Sequence, residues 1–96
     1  MFVTVSDHHV SKERLAEAIA LFKVNTVLGR KEKGFISRDI LISNKDPLKI
    51  TTVTCWEKKE QMDAWAKNPN RPKVPAGKVP MFIDMDIQVY EDVKVP

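Results

Sequence analysis

Apolar and polar positions along this chain switch between a two-residue and a 3.6-residue rhythm, and each switch marks the edge of an element. From Phe2 to Ser6 the rhythm is two: Phe2, Thr4 and Ser6 fall on one face and Val3 and Val5 on the other, as in a strand. Asp7-His8-His9-Val10 then reads as a short polar connection, and Ser11 as an N-cap. Leu15, Ala18, Ile19, Phe22 and Thr26 follow a helical stripe, which Gly29 is placed to stop. A charged segment, Arg30 to Lys33, returns the chain to Gly34. The two-residue rhythm then resumes, with Ile36, Ile40 and Ile42 on one face and Ser37 and Asp39 on the other. Asn44-Lys45-Asp46-Pro47 carries turn chemistry, since Asn and Asp bond nearby backbone and Pro fixes φ. Ile50 to Trp56 is rich in β-branched residues and reads as the second arm of a hairpin. From about Lys58, Met62, Trp65 and Ala66 set a helical stripe that ends near Asn68, because Pro69 disfavours helical geometry before it. Pro69, Pro72, Pro75 and Pro80, with Gly77 among them, describe a stiff loop. A long last strand follows from Met81 to Val93, with Ile83, Met85, Ile87 and Val89 opposite Asp84, Asp86, Gln88 and Tyr90.

The order strand, helix, strand, strand, helix, strand predicts one α+β domain over residues 1–96. With right-handed crossovers it becomes a ferredoxin-like βαββαβ fold, a four-stranded antiparallel sheet with both helices on one face. The strands carry apolar residues on both sides, notably Phe35 and Leu41 opposite Ile36 and Ile40. A second sheet is the natural cover for the face without helices, so the pattern predicts a two-fold homodimer.

Composition narrows the partners. The chain has 96 residues, sixteen basic and thirteen acidic, for a net charge of +3. The basic residues alternate with acids, as in Lys12-Glu13-Arg14 and Glu57-Lys58-Lys59-Glu60, so no basic stripe speaks for nucleic acid. No apolar run approaches the ~20 residues of a membrane span, and no basic-then-apolar leader opens the sequence. The single cysteine, Cys55, has no intramolecular partner and reads as an inert thiol, which fits a reducing, cytoplasmic setting.

Gly34-Phe35-Ile36-Ser37, the acid at Asp39, Asp46-Pro47, Thr54-Cys55-Trp56-Glu57 and Ala64-Trp65 together resemble the antibiotic biosynthesis monooxygenase family. That family's pattern is much like Gly-Phe-Leu, an acidic residue, Asp-Pro, Trp-Glu and Ala-Trp at the same spacing. The resemblance implies a ferredoxin-like fold paired into a dimeric α/β barrel. It also implies oxygenation without flavin, haem or metal, in which an electron-rich phenolate itself reduces dioxygen inside a shaped apolar pocket. Trp65 matches the tryptophan that forms a wall of that pocket. The family's haem-degrading branch adds an Asn on the first strand and an axial His on or after the second helix. Here the first strand has Val3, Thr4 and Val5, and no histidine occurs from Met62 to Pro96, so no haem is expected. These residues do not separate the family's signal-isomerase branch.

Candidate site residues follow from chemistry. His8 and His9 sit where the first strand meets the first helix, and an imidazole there can act as a base near neutral pH. Asp7-His8-His9 is a poor metal site, because adjacent residues rarely converge on one ion. Asn25, near the end of the first helix, can hold a substrate oxygen. Trp65, His8, His9 and Asn25 are therefore the catalytic candidates, and Phe22, Asp39, Thr52, Thr54 and Arg71 the substrate-binding ones. Asp39 is a mid-strand carboxylate in need of a cation, for which Arg71 is one choice. Asp84 and Asp86 read as a wet face or a contact to a dimer partner.

The expected function is that of a cofactor-independent monooxygenase-like protein acting on a small apolar aromatic substrate of phenol or quinol type. The alternative is a non-catalytic, dimeric, small-ligand-binding or stress-related barrel, in which the tryptophans are simply core.

Overall fold

A computed structural model describes residues 1–96, in the order β1 (Phe2–Val10), α1 (Leu15–Gly29), β2 (Phe35–Ile42), β3 (Lys49–Trp56), α2 (Lys59–Ala66) and β4 (Phe82–Glu91). The four strands form one antiparallel sheet in the order β2-β3-β1-β4, the ferredoxin-like arrangement. No helix is long and apolar enough to cross a membrane.

β1 is longer than its hydropathy pattern predicts. The segment Asp7 to Val10 is strand, because Asp7, His8 and His9 pair with Thr51, Ile50 and Lys49 on one side while β4 pairs on the other as far as Val10–Phe82. Two ladders outweigh the turn preference of a polar quartet. Ser11 does not cap a helix with its side chain, since its hydroxyl donates to the Pro80 carbonyl instead. A 3-10 turn, Lys12–Arg14, leads into α1.

Two β-bulges change which side chains face the helices. In β2, Phe35 lies opposite Trp56 and Ser37 opposite Cys55, so Ile36 is an extra residue. Phe35 therefore turns inward onto Trp56, with ring centroids 5.7 Å apart at 90°, and Ile36 is exposed. This corrects the expectation that Phe35 lies opposite Ile40: past the bulge the two share the inward face. In β4, His9 lies opposite Asp84 and Val10 opposite Phe82, which leaves Ile83 as the extra residue, 66% exposed rather than aligned with Met85.

The core forms in two patches on the helix-covered face. Val10, Ala18, Phe22, Ile50 and Met81 make one, and Trp56, Met62 and Trp65 the other. The two tryptophan rings lie 6.5 Å apart, held where β3 passes into α2. The proline-rich loop is tied down by buried Arg14, whose Nη1 donates to the Val79 carbonyl at 3.1 Å and whose Nη2 donates to that of Pro75 at 2.6 Å.

Candidate functional site

Between the two core patches the inward face of the sheet is polar. Read across β2, β3 and β1, the register gives a row Phe35–Trp56–Phe2, then Arg38–Thr54–Thr4, then Ile40–Thr52–Ser6, then Ile42–Ile50–His8. Apolar rings close one end, and polar groups occupy the middle rows on β1 and β3. Strands half-buried on this face would ordinarily carry apolar residues there, so the polar middle has to be satisfied locally or by a ligand.

A cavity of about 290 Å³ opens over these rows, between α1, the sheet and the proline-rich loop. Leu21, Phe22, Phe82, Met85 and Ile87 form apolar walls, and His8, Asn25, Thr52, Arg38 and Arg71 bring polar atoms to it. A smaller cavity of about 140 Å³ adjoins it, walled by Trp56, Met62 and Trp65. Ser6, Arg38, Arg71 and Ile87 line both, so the two chambers meet at a waist where the arginines stand.

His8 is buried at the inner end, tilted against Phe22 and Phe82 with ring centroids 4.8 and 5.0 Å away. Its Nδ1 lies 3.1 Å from the Ile50 carbonyl. A carbonyl only accepts, so Nδ1 carries the proton and the neutral ring keeps its lone pair on Nε2. Burial pushes the His8 pKa below the ordinary histidine value, more than the Ile50 carbonyl restores, which favours that neutral form. Nε2 makes no hydrogen bond within the protein.

Asn25, on the third turn of α1, is buried at 7% exposure, and its Oδ1 has no hydrogen-bond partner. Orphaned buried acceptors are uncommon, and this one belongs to a residue lining the larger cavity. Arg38 donates from Nε to Thr26 Oγ1 and from Nη1 to Thr54 Oγ1, both at 3.0 Å. Burial, with Arg71 nearby, pushes its pKa down to about 10. Arg71 stands over the Trp65 ring, 5.2 Å from the centroid, in a cation–π contact. Burial lowers its pKa as well.

Most of the sequence candidates come together. His8, Asn25, Phe22, Thr52 and Arg71 line the larger cavity, and Trp65, Thr54 and Arg71 the smaller one. His9 and Asp39 do not join them. His9 lies on the opposite face of β1, bonded through Nδ1 to Asp84 at 2.5 Å. Strand alternation therefore sends the two adjacent histidines to opposite sides of the sheet, and Asp7 goes outward with His9, to Thr51 Oγ1 at 2.5 Å. Asp39, opposite Val53, is exposed and borders an open groove between α1 and β2, whereas Arg71 stands over Trp65; the two form no ion pair. Arg38 was missed as a site residue. The signal was present: it shares the face of Ile40, and a mid-strand arginine on an apolar face asks for a reason.

The sequence of residues 1–73 matches the family described as antibiotic biosynthesis monooxygenase. No curated protein sequence matches the chain significantly. Among solved structures, a conserved protein from Methanosarcina mazei Go1 is similar at a TM-score of 0.81 and 16% identity, covering 96% of this chain and 92% of that one. Rv0793 from Mycobacterium tuberculosis has a TM-score of 0.79 at 11% identity, over 98% and 96% of the two chains. SnoaB, a cofactor-independent oxygenase from Streptomyces nogalater, solved as a mutant, has a TM-score of 0.79 at 11% identity, over 98% and 94%. These likenesses establish the same ferredoxin-like fold, and the family match extends over most of the sequence. The chain belongs to the antibiotic biosynthesis monooxygenase family.

Proposed function

We propose that the protein is a cofactor-independent oxygenase of a small phenol- or quinol-type aromatic, bound in the larger cavity. The observation that carries this reading is that a neutral His8 with an unengaged Nε2 and an unpartnered Asn25 Oδ1 line one apolar-walled cavity. Such a combination, apolar walls with few polar groups, is the usual make-up of a small-molecule site. The similarity in fold to SnoaB, itself a cofactor-independent oxygenase, agrees with it.

In this reading the aromatic ring packs against Phe22 and Phe82. His8 Nε2 accepts the phenolic proton, and Asn25 Oδ1 accepts a hydrogen bond from a second ligand hydroxyl. The resulting phenolate is electron-rich enough to reduce dioxygen itself. For an anthrone-type substrate the ring CH₂ is oxidised to a carbonyl: one oxygen atom of O₂ enters the product and the other leaves as water with the two hydrogens of that carbon. The substrate supplies all the electrons. Trp65 borders the adjoining chamber and, with Arg71 stacked on it, forms the far wall.

The same reading takes the chain as a homodimer. Val3, Val5, Val53 and Cys55 lie half-buried on the helix-free face of the sheet, and Leu41 and Tyr90 beside them are about half exposed, at 50% and 51%. A twin sheet is the cover that suits such a face.

Oxygen uptake with a panel of anthrones and hydroquinones tests the activity. We expect one O₂ consumed per product formed, and a loss of about 10²-fold or more in the His8→Phe variant, the usual worth of a positioned general base. Uptake no faster than in buffer across the panel rejects the oxygenase. Tight binding of the same compounds without uptake favours the non-catalytic ligand-binding barrel.

A further inference from the structure

Neither chamber of the cleft contains an acid. Arg38 and Arg71 stand together at the waist, and the residues around both chambers include no aspartate or glutamate. Neither arginine takes part in any ion pair of the protein, although Arg14, in the 3-10 turn before α1, has Glu17 at 3.0 Å. Arg38 uses two of its N–H groups on threonine hydroxyls, and its Nη2 has no protein acceptor. The Arg71 guanidinium makes no hydrogen bond at all and rests only on the Trp65 face.

Two partly buried cations side by side, with no counter-charge, oppose folding unless something outside the chain neutralises them. Their mutual repulsion adds to the burial that already disfavours the charge on Arg38. Selection for stability alone would replace one of them or pair it. The threonines that hold Arg38 fix its aim, since Thr26 Oγ1 is itself anchored by donating to the Phe22 carbonyl at 2.8 Å. Donors fixed in advance and left unspent are what a binding site presents to an anion.

We infer that the ligand of this cleft is an aromatic acid, its carboxylate seated between Arg38 and Arg71 and its ring in the chamber walled by Phe22 and Phe82. The inference rests on the proposed use of this cavity as the ligand's seat and adds the charge of the ligand to it. A carboxylate suits the place better than a phosphate. Neither chamber is lined by a lysine or by a helix N-terminus, the extra donors that phosphate sites recruit. The α1 residues that do line the larger chamber, Leu21, Phe22 and Asn25, are past its first turn.

Isothermal titration with 2-naphthoate, 2-naphthamide and 2-naphthyl phosphate compares one ring system with three head groups. Naphthoate is expected to bind about tenfold or more tightly than the amide, the worth of a charge-assisted pair over a neutral one. Arg38→Met and Arg71→Gln, each confirmed as folded by near-UV circular dichroism, should cut that preference to within about threefold. If Arg38→Met does not fold, Arg71→Gln decides, because the Arg71 side chain makes no hydrogen bond or ion pair within the protein and its backbone bond to the Asn68 carbonyl survives the substitution. Equal binding of amide and acid, binding of none of the three, or a preference that survives in every folded variant would overturn the inference. A preference for the phosphate over the carboxylate would overturn the choice of carboxylate. Failure of oxygen uptake alongside selective naphthoate binding would sink the oxygenase reading alone, and uptake with neutral phenols but no preference for acids would sink this one alone.

Discussion

Gly34 is the point at which the hairpin, the second helix and the tryptophan pair depend on one another. Its φ of +86° lies in the left-handed region, and a Cβ built on it would stand 1.7 Å from Gln61 Oε1 and 1.9 Å from Gln61 Cδ. That same Oε1 accepts the Lys58 N–H at 3.1 Å, which satisfies one of the free donors at the start of α2. Gly34→Ala is therefore penalised twice. Holding alanine in the left-handed region costs about 1–2 kcal/mol. Displacing Gln61 from the helix N-terminus costs about 0.5–1 kcal/mol, at the low end because the bond is exposed. Together they come to about 1.5–3 kcal/mol, or a fall in Tm of roughly 7–15 °C for a domain of this size. Equilibrium urea unfolding followed by tryptophan fluorescence suits the measurement, because Trp56 and Trp65 flank the junction. Gln61→Ala alone should cost about 0.5–1 kcal/mol. In that background Gly34→Ala should lose only the backbone strain, giving a coupling of about 0.5–1 kcal/mol in the double-mutant cycle. A Gly34→Ala protein within about 0.5 kcal/mol of wild type, or a cycle without coupling, would refute the reasoning.

The pH dependence follows from His8, whose pKa burial holds below the ordinary value. The folded protein then binds fewer protons than the unfolded chain, so this contribution to stability is present above the unfolded histidine pKa, about 6.5, and is lost as pH falls below it. Urea midpoints measured from pH 7.5 to 5 should decline, and His8→Gln should flatten the decline; an unchanged slope in the variant would count against a buried neutral imidazole. Sedimentation velocity should find the protein as a dimer, and Val53→Asp, which puts a charge on the helix-free face, should shift it to monomers; a wild-type monomer at micromolar concentration would remove the twin-sheet picture.

The element order, the strand pairing and most of the inner residues were legible because alternation and helical spacing record burial directly. Leu15, Ala18, Ile19 and Phe22 could be assigned to a buried face from spacing alone, as could Thr52 and Thr54 beside Trp56. What was not legible depended on long-range pairing. Nothing local distinguishes Asp7-His8-His9-Val10 from a turn, since it becomes a strand only through ladders to residues about forty and seventy-five positions away. His8 and His9 look equivalent in the sequence; one is a buried neutral ring in a cavity and the other bonds a carboxylate on the far side of the sheet.

The bulges explain why the site in particular escapes a periodic reading. On a regular strand, residues three apart face opposite ways, so Phe35 and Arg38 could not both point at the helices, nor could Phe82 and Met85. Here each pair faces inward, because Ile36 and Ile83 are the extra residues that shift the phase by one. On β2 the shift sets the aromatic ring that supports Trp56 on the same face as the arginine at the waist of the cleft. On β4 it brings Phe82 against His8 and Phe22 while Met85 still lines the cavity. Both extra residues are apolar and largely exposed in the single chain, 47% for Ile36 and 66% for Ile83, which core packing does not account for. Removing either one would restore simple alternation and turn one member of each pair away from the cavity. The irregular positions in these two strands are thus the ones that build the site, and the sheet gives up ladder regularity there in exchange for a wall that a regular strand cannot form.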